Sequence, residues 1–191
     1  MNESAKMGES SVIGAGYEMH QPIQWKAKWK VEKFHGDNID GTPYEVIEKE
    51  GNLLMNGGAS CIWEALIGNA TGTSGQTLTY FDNSNAYIGV GNGTAAADAT
   101  QTDLQASVGT ANQIRVGMDS TYPQHSDGTG ASAGTITFRS TYGTADANFN
   151  WYEWGVFNGA SGGRMLNRKQ EDLGVKTSAS TWTFSVSLSL A

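Results

Sequence analysis

Few residues in this chain combine types and spacing that could do chemistry. Gly89-Val90-Gly91-Asn92-Gly93 has glycines that would let backbone N–H groups approach a phosphate. A dinucleotide loop needs a third glycine at its own spacing and a strong helix behind it. Neither is present, so the stretch reads as a tight turn leaving a strand. His20, His35 and His125 lie far apart, with no Cys, Asp or Glu at zinc-ligand spacing. Asp37-Asn38-Ile39-Asp40-Gly41 and Asp82–Asn85 could offer oxygens to calcium, but each is too short for a known calcium loop and reads as a turn. Serine is so common that any Ser/His/Asp set would be arbitrary. The expectation is a protein with no catalytic residues, no metal and no cofactor, and not an enzyme.

The densest aromatic stretch is Phe149-Asn150-Trp151-Tyr152-Glu153-Trp154-Gly155-Val156-Phe157. At period two, Tyr152, Trp154 and Val156 point one way, and Phe149, Trp151 and Phe157 point the other. Such a strand is either buried on both sides or offers one face to a ligand. In the second case Trp151, Tyr152 and Trp154 form a stacking platform for a sugar. Glu153, set among these rings, needs a cationic partner, and Arg139, Arg164 and Arg168 are available.

The elements that must position these residues are mostly strands. Trp182 to Leu190 alternates large apolar residues with Thr183, Ser185, Ser187 and Ser189 without a break. Its five apolar residues share a face, so the fold is incomplete until this final strand docks. The uncharged opposite face suits close approach by another sheet or subunit. Trp25, Ala27, Trp29 and Val31 alternate with Lys26, Lys28, Lys30 and Glu32, giving a strand whose basic row reads as an edge guard. Tyr44–Glu48, Thr77–Phe81, Ala86–Val90, Ile114–Met118, Thr135–Tyr142 and Met165–Lys169 read as further strands. Asn52–Ile67 is the one good helical candidate, broken near Gly57-Gly58 and stopped by Gly68, with Trp63 expected in the core. One turn of helix is also expected within Ala96–Leu104, and a loop over Gln124–Gly134. Cys61 reads as a small buried apolar residue.

This pattern predicts a mainly β protein: an antiparallel β-sandwich or barrel, jelly-roll-like, of six to nine strands with one short helix. Residues 1–22 read as a flexible N-terminal arm and 23–191 as a single β-rich domain. In the arm, Val12, Ile13, Tyr17 and Met19 could anchor to a neighbour.

At 191 residues the chain is long enough for one well-cored domain. Charged residues make up only 16%, against about 25% in ordinary soluble domains. A surface this poor in charge points to burial against partners. The net charge of −7 argues against nucleic acid as one of them. A single cysteine excludes an internal disulfide, and no signal segment or membrane-spanning run is evident.

Several stretches are similar to tailed-bacteriophage virion proteins. They are Glu153-Trp154-Gly155-Val156-Phe157-Asn158-Gly159-Ala160-Ser161-Gly162-Gly163, Met165-Leu166-Asn167-Arg168, and the alternating strand to the C-terminus. Upstream, Tyr44–Glu48, Gly51–Asn56, Tyr87–Gly91, Thr100–Leu104 and Met118–Pro123 resemble the same kind of protein. The likeness spans roughly residues 25 to 190 and rests on turns and strands rather than catalytic signatures. It implies a structural role in the particle: a capsid decoration (cement) protein bound to the major capsid protein, or a tail or neck component. A carbohydrate-binding, receptor-recognising module is the rival from another class. The expected partners are virion subunits and copies of the chain itself in a small cyclic oligomer, with no nucleic acid and no membrane. The expected location is the virion, assembled in the host cytoplasm. The expected interface combines Val12, Ile13, Tyr17 and Met19 with Lys26, Lys28, Lys30, Ser185, Ser187 and Ser189.

Overall fold

A computed structural model of the chain describes residues 24–68 and 78–190. Its strands are β1 (Trp25–His35), β2 (Glu45–Glu50), β3 (Leu53–Leu54), β4 (Tyr87–Gly91), β5 (Gln113–Gly117), β6 (Gln124–His125), β7 (Thr135–Tyr142), β8 (Asn150–Phe157), β9 (Met165–Val175) and β10 (Ser180–Leu190). The helix α1 (Asn56–Ile67) and a 3₁₀ turn (Ala131–Gly134) complete the list. The strands form two five-stranded antiparallel sheets, ordered β2-β1-β10-β7-β6 (sheet A) and β3-β9-β8-β4-β5 (sheet B). The two sheets pack face to face as an open sandwich, not a closed barrel. Ten strands exceed the expected six to nine because β3 and β6 are two-residue pairings with no pattern of their own.

The final strand lies at the centre of sheet A, paired with β1 on one side and β7 on the other. Trp182, Phe184, Val186 and Leu188 are buried, as the alternation predicts, but Leu190 at the strand end is 59% exposed. These four meet Ala27, Trp29 and Val31 of β1, Phe138 and Tyr142 of β7, and from sheet B Ile88, Val90, Trp151, Trp154 and Val156. The rings interlock edge to face: Trp29 on Trp154 at 5.8 Å, Trp151 on Trp182 at 4.7 Å, Trp154 on Phe184 at 5.2 Å. Each such pair adds about 0.5–1.5 kcal/mol beyond the area it buries. At one end, buried Lys33 on β1 ties the sheets together. Its Nζ donates to Leu173 O at 2.8 Å, pairs with Glu45 at 3.0 Å, and sits 4.3 Å from the Trp182 ring centre.

Several expectations are corrected. β1 is an interior strand, so its lysines guard no edge; β2 holds the edge. Residues 78–81 form no strand, although Phe81 packs on the core. No helix forms over Ala96–Leu104, and Gln124–Gly134 contains β6 and the 3₁₀ turn. β9 runs on to Val175, past the apolar positions that marked its start. The helix spans Gly57-Gly58 without a break, and packing explains the second glycine. A Cβ at Gly58 would lie 2.4 Å from Leu166 O, so only glycine lets α1 rest on β9. That contact turns Gly58, Cys61 and Glu64 inward. Trp63, expected in the core, is 62% exposed, beside exposed Leu66 and Ile67.

Candidate interaction face

The two sheets treat their outer faces in opposite ways. Sheet B is covered by the chain itself. Gly89 and Gly91 are one bare face of β4 at period two, and Gly93 continues the bare row just beyond the strand. Cβ atoms there would lie 2.7 Å from the Phe157 ring, 2.8 Å from Glu153 Oε1 and 2.3 Å from the same oxygen. The missing side chains make room for Phe157, for Glu153 and for the loop that crosses them. Phe157, Met165, Leu104 and Met55 form a second small core beneath that cover.

Glu153 and Arg168 pin the loop down. Both side chains are fully buried. Arg168 donates to Glu153 Oε2 through Nε at 2.9 Å and Nη2 at 2.6 Å. Its remaining N–H groups reach Ala95 O, Ala96 O and Gln101 Oε1 at 2.8–3.1 Å. Glu153 in turn accepts from the backbone N–H groups of Gln105 and Ala106. Of the three candidate partners, Arg168 is therefore the one used. A buried pair with every hydrogen bond made is a fastener; removing one partner strands the other charge. Nearby, Arg115 is committed to Gly159 O, Gly162 O and Asp103, with its guanidinium 3.6 Å from the Phe157 ring centre.

The aromatic platform is not available. Trp151 and Trp154 are both fully buried, because a register shift between Trp151 and Glu153 turns both rings into the same core. Tyr152 is half-buried. No ring face of the two tryptophans can meet a sugar in this fold.

The other chemical candidates are equally quiet. Asp82 Oδ1 accepts from the N–H groups of Ser84 and Asn85 at 3.0 Å each, closing its own turn. Exposed His35 stacks on Tyr44, and His125 Nδ1 lies 3.2 Å from Thr135 O. Among the described residues, no three His, Cys, Asp or Glu side chains cluster to hold a metal ion, and no helix is long and apolar enough to cross a membrane. Cys61 is buried against Thr79 O and Asn158, and burial pushes its thiol pKa up, which suppresses the reactive thiolate.

Among the described residues nothing covers the outer face of sheet A, and six of the predicted interface residues meet there. Lys26 stands opposite Ser189, Lys28 opposite Ser187 and Lys30 opposite Ser185. The rows continue onto β7 as Thr135, Thr137 and Arg139. The Thr137 and Ser187 hydroxyls are 2.9 Å apart and share a hydrogen bond. The cations find carboxylates on the same surface: Lys28 with Glu50 at 3.1 Å, Lys30 with Glu32 at 3.0 Å, Arg139 with Asp119 at 3.0 Å. Pairs this exposed contribute roughly 0–1 kcal/mol each to folding. They do leave the face close to neutral. A shallow groove of about 230 Å³ runs between Lys28, Lys30, Glu48, Ser185 and Ser187. What results is a wide surface of short hydroxyls on which most of the charges are paired with one another.

Val12, Ile13, Tyr17 and Met19 lie outside the described residues. Two features escaped the sequence reading. One is the exposed apolar ridge of α1 at Ile62, Trp63, Leu66 and Ile67. Its signal was present in Gly58, Cys61 and Glu64, small or pairable residues at spacing three on the opposite side. The other is an apolar groove of about 320 Å³ at one end of the sandwich, which no local pattern announces. Comparison with protein-family models and with curated proteins finds no match for this chain.

Proposed function

We propose that the chain is a non-enzymatic structural component of a phage virion, acting as a capsid decoration (cement) protein that bridges neighbouring capsid subunits. The observation that carries this reading is the outer face of sheet A. Six residues singled out as an interface, on strands far apart in sequence, meet there in one register. A near-neutral face of small hydroxyls loses little side-chain entropy on contact, which suits a protein built to be covered. The middle of the other sheet is covered by its own chain, so among the described residues sheet A is the broader strand surface open to a partner. The resemblance of residues 25–190 to virion proteins supports the same reading. The burial of Trp151 and Trp154 removes the support for a sugar-binding role.

The test is co-sedimentation of the full-length protein with phage heads assembled without it, using isolated tails as a control. Saturable binding to heads, with hundreds of copies per particle, is the expected result. Binding to tails alone, at tens of copies, would replace the capsid assignment with a tail one. Deleting Met1–Gly16 should leave melting nearly unchanged and weaken attachment to heads. Equal attachment by both forms would remove the arm from the mechanism.

A further inference from the structure

The buried basic residues Lys33, Arg164 and Arg168 are each paired with a carboxylate: Glu45, Glu64 and Glu153. Lys176 is the exception. It is 1% exposed, and among the described residues its Nζ touches no carboxylate. It donates instead to two neutral oxygens, Gly143 O at 2.6 Å and Asn148 Oδ1 at 3.2 Å. Burying an ammonium without a counter-ion in contact penalises its charged form. Burial accordingly lowers the Lys176 pKa from its usual 10.5, although the Asp146 and Asp37 charges pull the other way. A desolvated lysine driven towards its neutral form is a nucleophile.

The group in front of that amine is a side-chain amide, and the backbone fixes both partners. β8 and β9 pair as far as Asn150 opposite Val175, and the Lys176 N–H donates to Phe149 O at 3.1 Å. Ala147, just before Asn148, is held at φ 51°, a left-handed conformation uncommon for a residue with a side chain. Its carbonyl accepts from Trp151 Nε1 at 2.9 Å. Strain kept in place by such packing is a mark of functional positions. Asn148 Nδ2 donates to Thr144 O at 2.8 Å, which leaves Oδ1 turned to the amine. Asp146 lies in the same turn, its Oδ2 accepting from the Gly143 N–H at 3.0 Å. Its charge is felt at Lys176. An amine, an amide and a carboxylate able to carry a proton thus share one corner of the sandwich.

We infer that Lys176 and Asn148 of the same chain join through an amide bond between their side chains. Lys176 first gives its ammonium proton to water. The neutral Nζ then attacks the Asn148 side-chain carbonyl carbon, the bond from that carbon to Nδ2 breaks, and Nδ2 leaves as ammonia. The proton that Nζ loses passes to the departing nitrogen, with the Asp146 carboxylate as carrier. Nothing is oxidised or reduced, and no other reactant enters. The titration of Lys176 belongs to the chain before the bond forms. The product closes residues 148–176 into a covalent loop, which restricts the unfolded chain as a disulfide would. The inference goes beyond the assembly role and does not depend on it.

The experiment is mass spectrometry of the full chain, unfolded in denaturant after incubation in mildly alkaline buffer until its mass is constant. Wild type should be lighter than its sequence mass by one ammonia. Its peptide map should contain a branched peptide joining Asn148 to Lys176. Lys176→Arg and Asn148→Ala should each keep the full mass. The branched peptide is read in wild type alone, so a variant that fails to fold does not weaken the test. A wild-type chain at full sequence mass would overturn the inference. So would an ammonia loss that persists in Lys176→Arg, which would place it at an Asn-Gly pair such as Asn56-Gly57.

Discussion

The outer faces of the two sheets show how one chain can seal one surface and leave another open. The middle of sheet B is covered: three glycines clear a channel, a loop lies in it, and Glu153 with Arg168 locks the loop from beneath. Among the described residues sheet A carries no such cover, and three of its cations are paired within the face. The first arrangement is costly to disturb and offers a partner little. The second adds little to stability and can be changed freely unless something binds there. Substitutions on sheet B should therefore report as unfolding, and substitutions on sheet A as lost association.

The largest effect is expected at the fastener. Arg168→Ala strands a buried carboxylate and should cost about 3–5 kcal/mol in a denaturant titration. A loss under 1 kcal/mol would mean that water reaches Glu153 and that the cover is loose. Next comes the shared core: Phe184→Ala should cost about 3–5 kcal/mol, since its ring is fully buried between both sheets. Gly93→Ala tests the channel directly. A methyl there meets Glu153 and the backbone of Ala106, and overpacking of this kind costs about 1–3 kcal/mol. An unchanged midpoint would show that the loop can lift without loss.

A smaller effect is set by pH. Burial raises the Tyr142 hydroxyl well above its usual pKa of 10.0, and the Asp146 and Asp119 charges add to this; burial likewise raises Cys61 above 9.0. Both groups hold their protons more tightly when folded, so their contribution is fully present below about pH 9 and is lost as pH rises through the folded values. Burial lowers Lys176 below 10.5, against the opposing pull of Asp146 and Asp37, so its share runs the other way and stability from it grows as pH rises towards 10.5. Net alkaline loss, with one tyrosine ionising only on unfolding, is the expected outcome of a titration followed by tyrosine absorbance. Ionisation of all seven tyrosines before unfolding would show that Tyr142 is not shielded.

Much of this was legible in the sequence because period-two patterns are local. The inward faces of β1 and β10 follow from their alternation, and the meeting of Lys26, Lys28 and Lys30 with Ser189, Ser187 and Ser185 follows once those strands pair. What was not legible depended on distant partners. The glycines of β4 read as a turn because nothing near them in sequence announces Phe157 or Glu153 lying across them. Period two sends Trp151 and Trp154 to opposite faces, and the register shift between Trp151 and Glu153 that brings both into one core depends on β9, far away in sequence. Trp63 was expected inside because an apolar helical side normally faces the core, whereas Gly58 packing on the Leu166 backbone turns α1 the other way.

The smallest effect on stability is expected on the open face, and it carries the most direct test of the account. The double variant Ser185→Arg, Ser187→Arg should change stability by no more than about 0.5 kcal/mol. In co-sedimentation with heads assembled without the protein, wild type should pellet to saturation and the folded double variant should stay in the supernatant. Equal pelleting of the two, or no pelleting of wild type with heads, would contradict the claim that the outer face of sheet A is the surface through which this protein joins a particle.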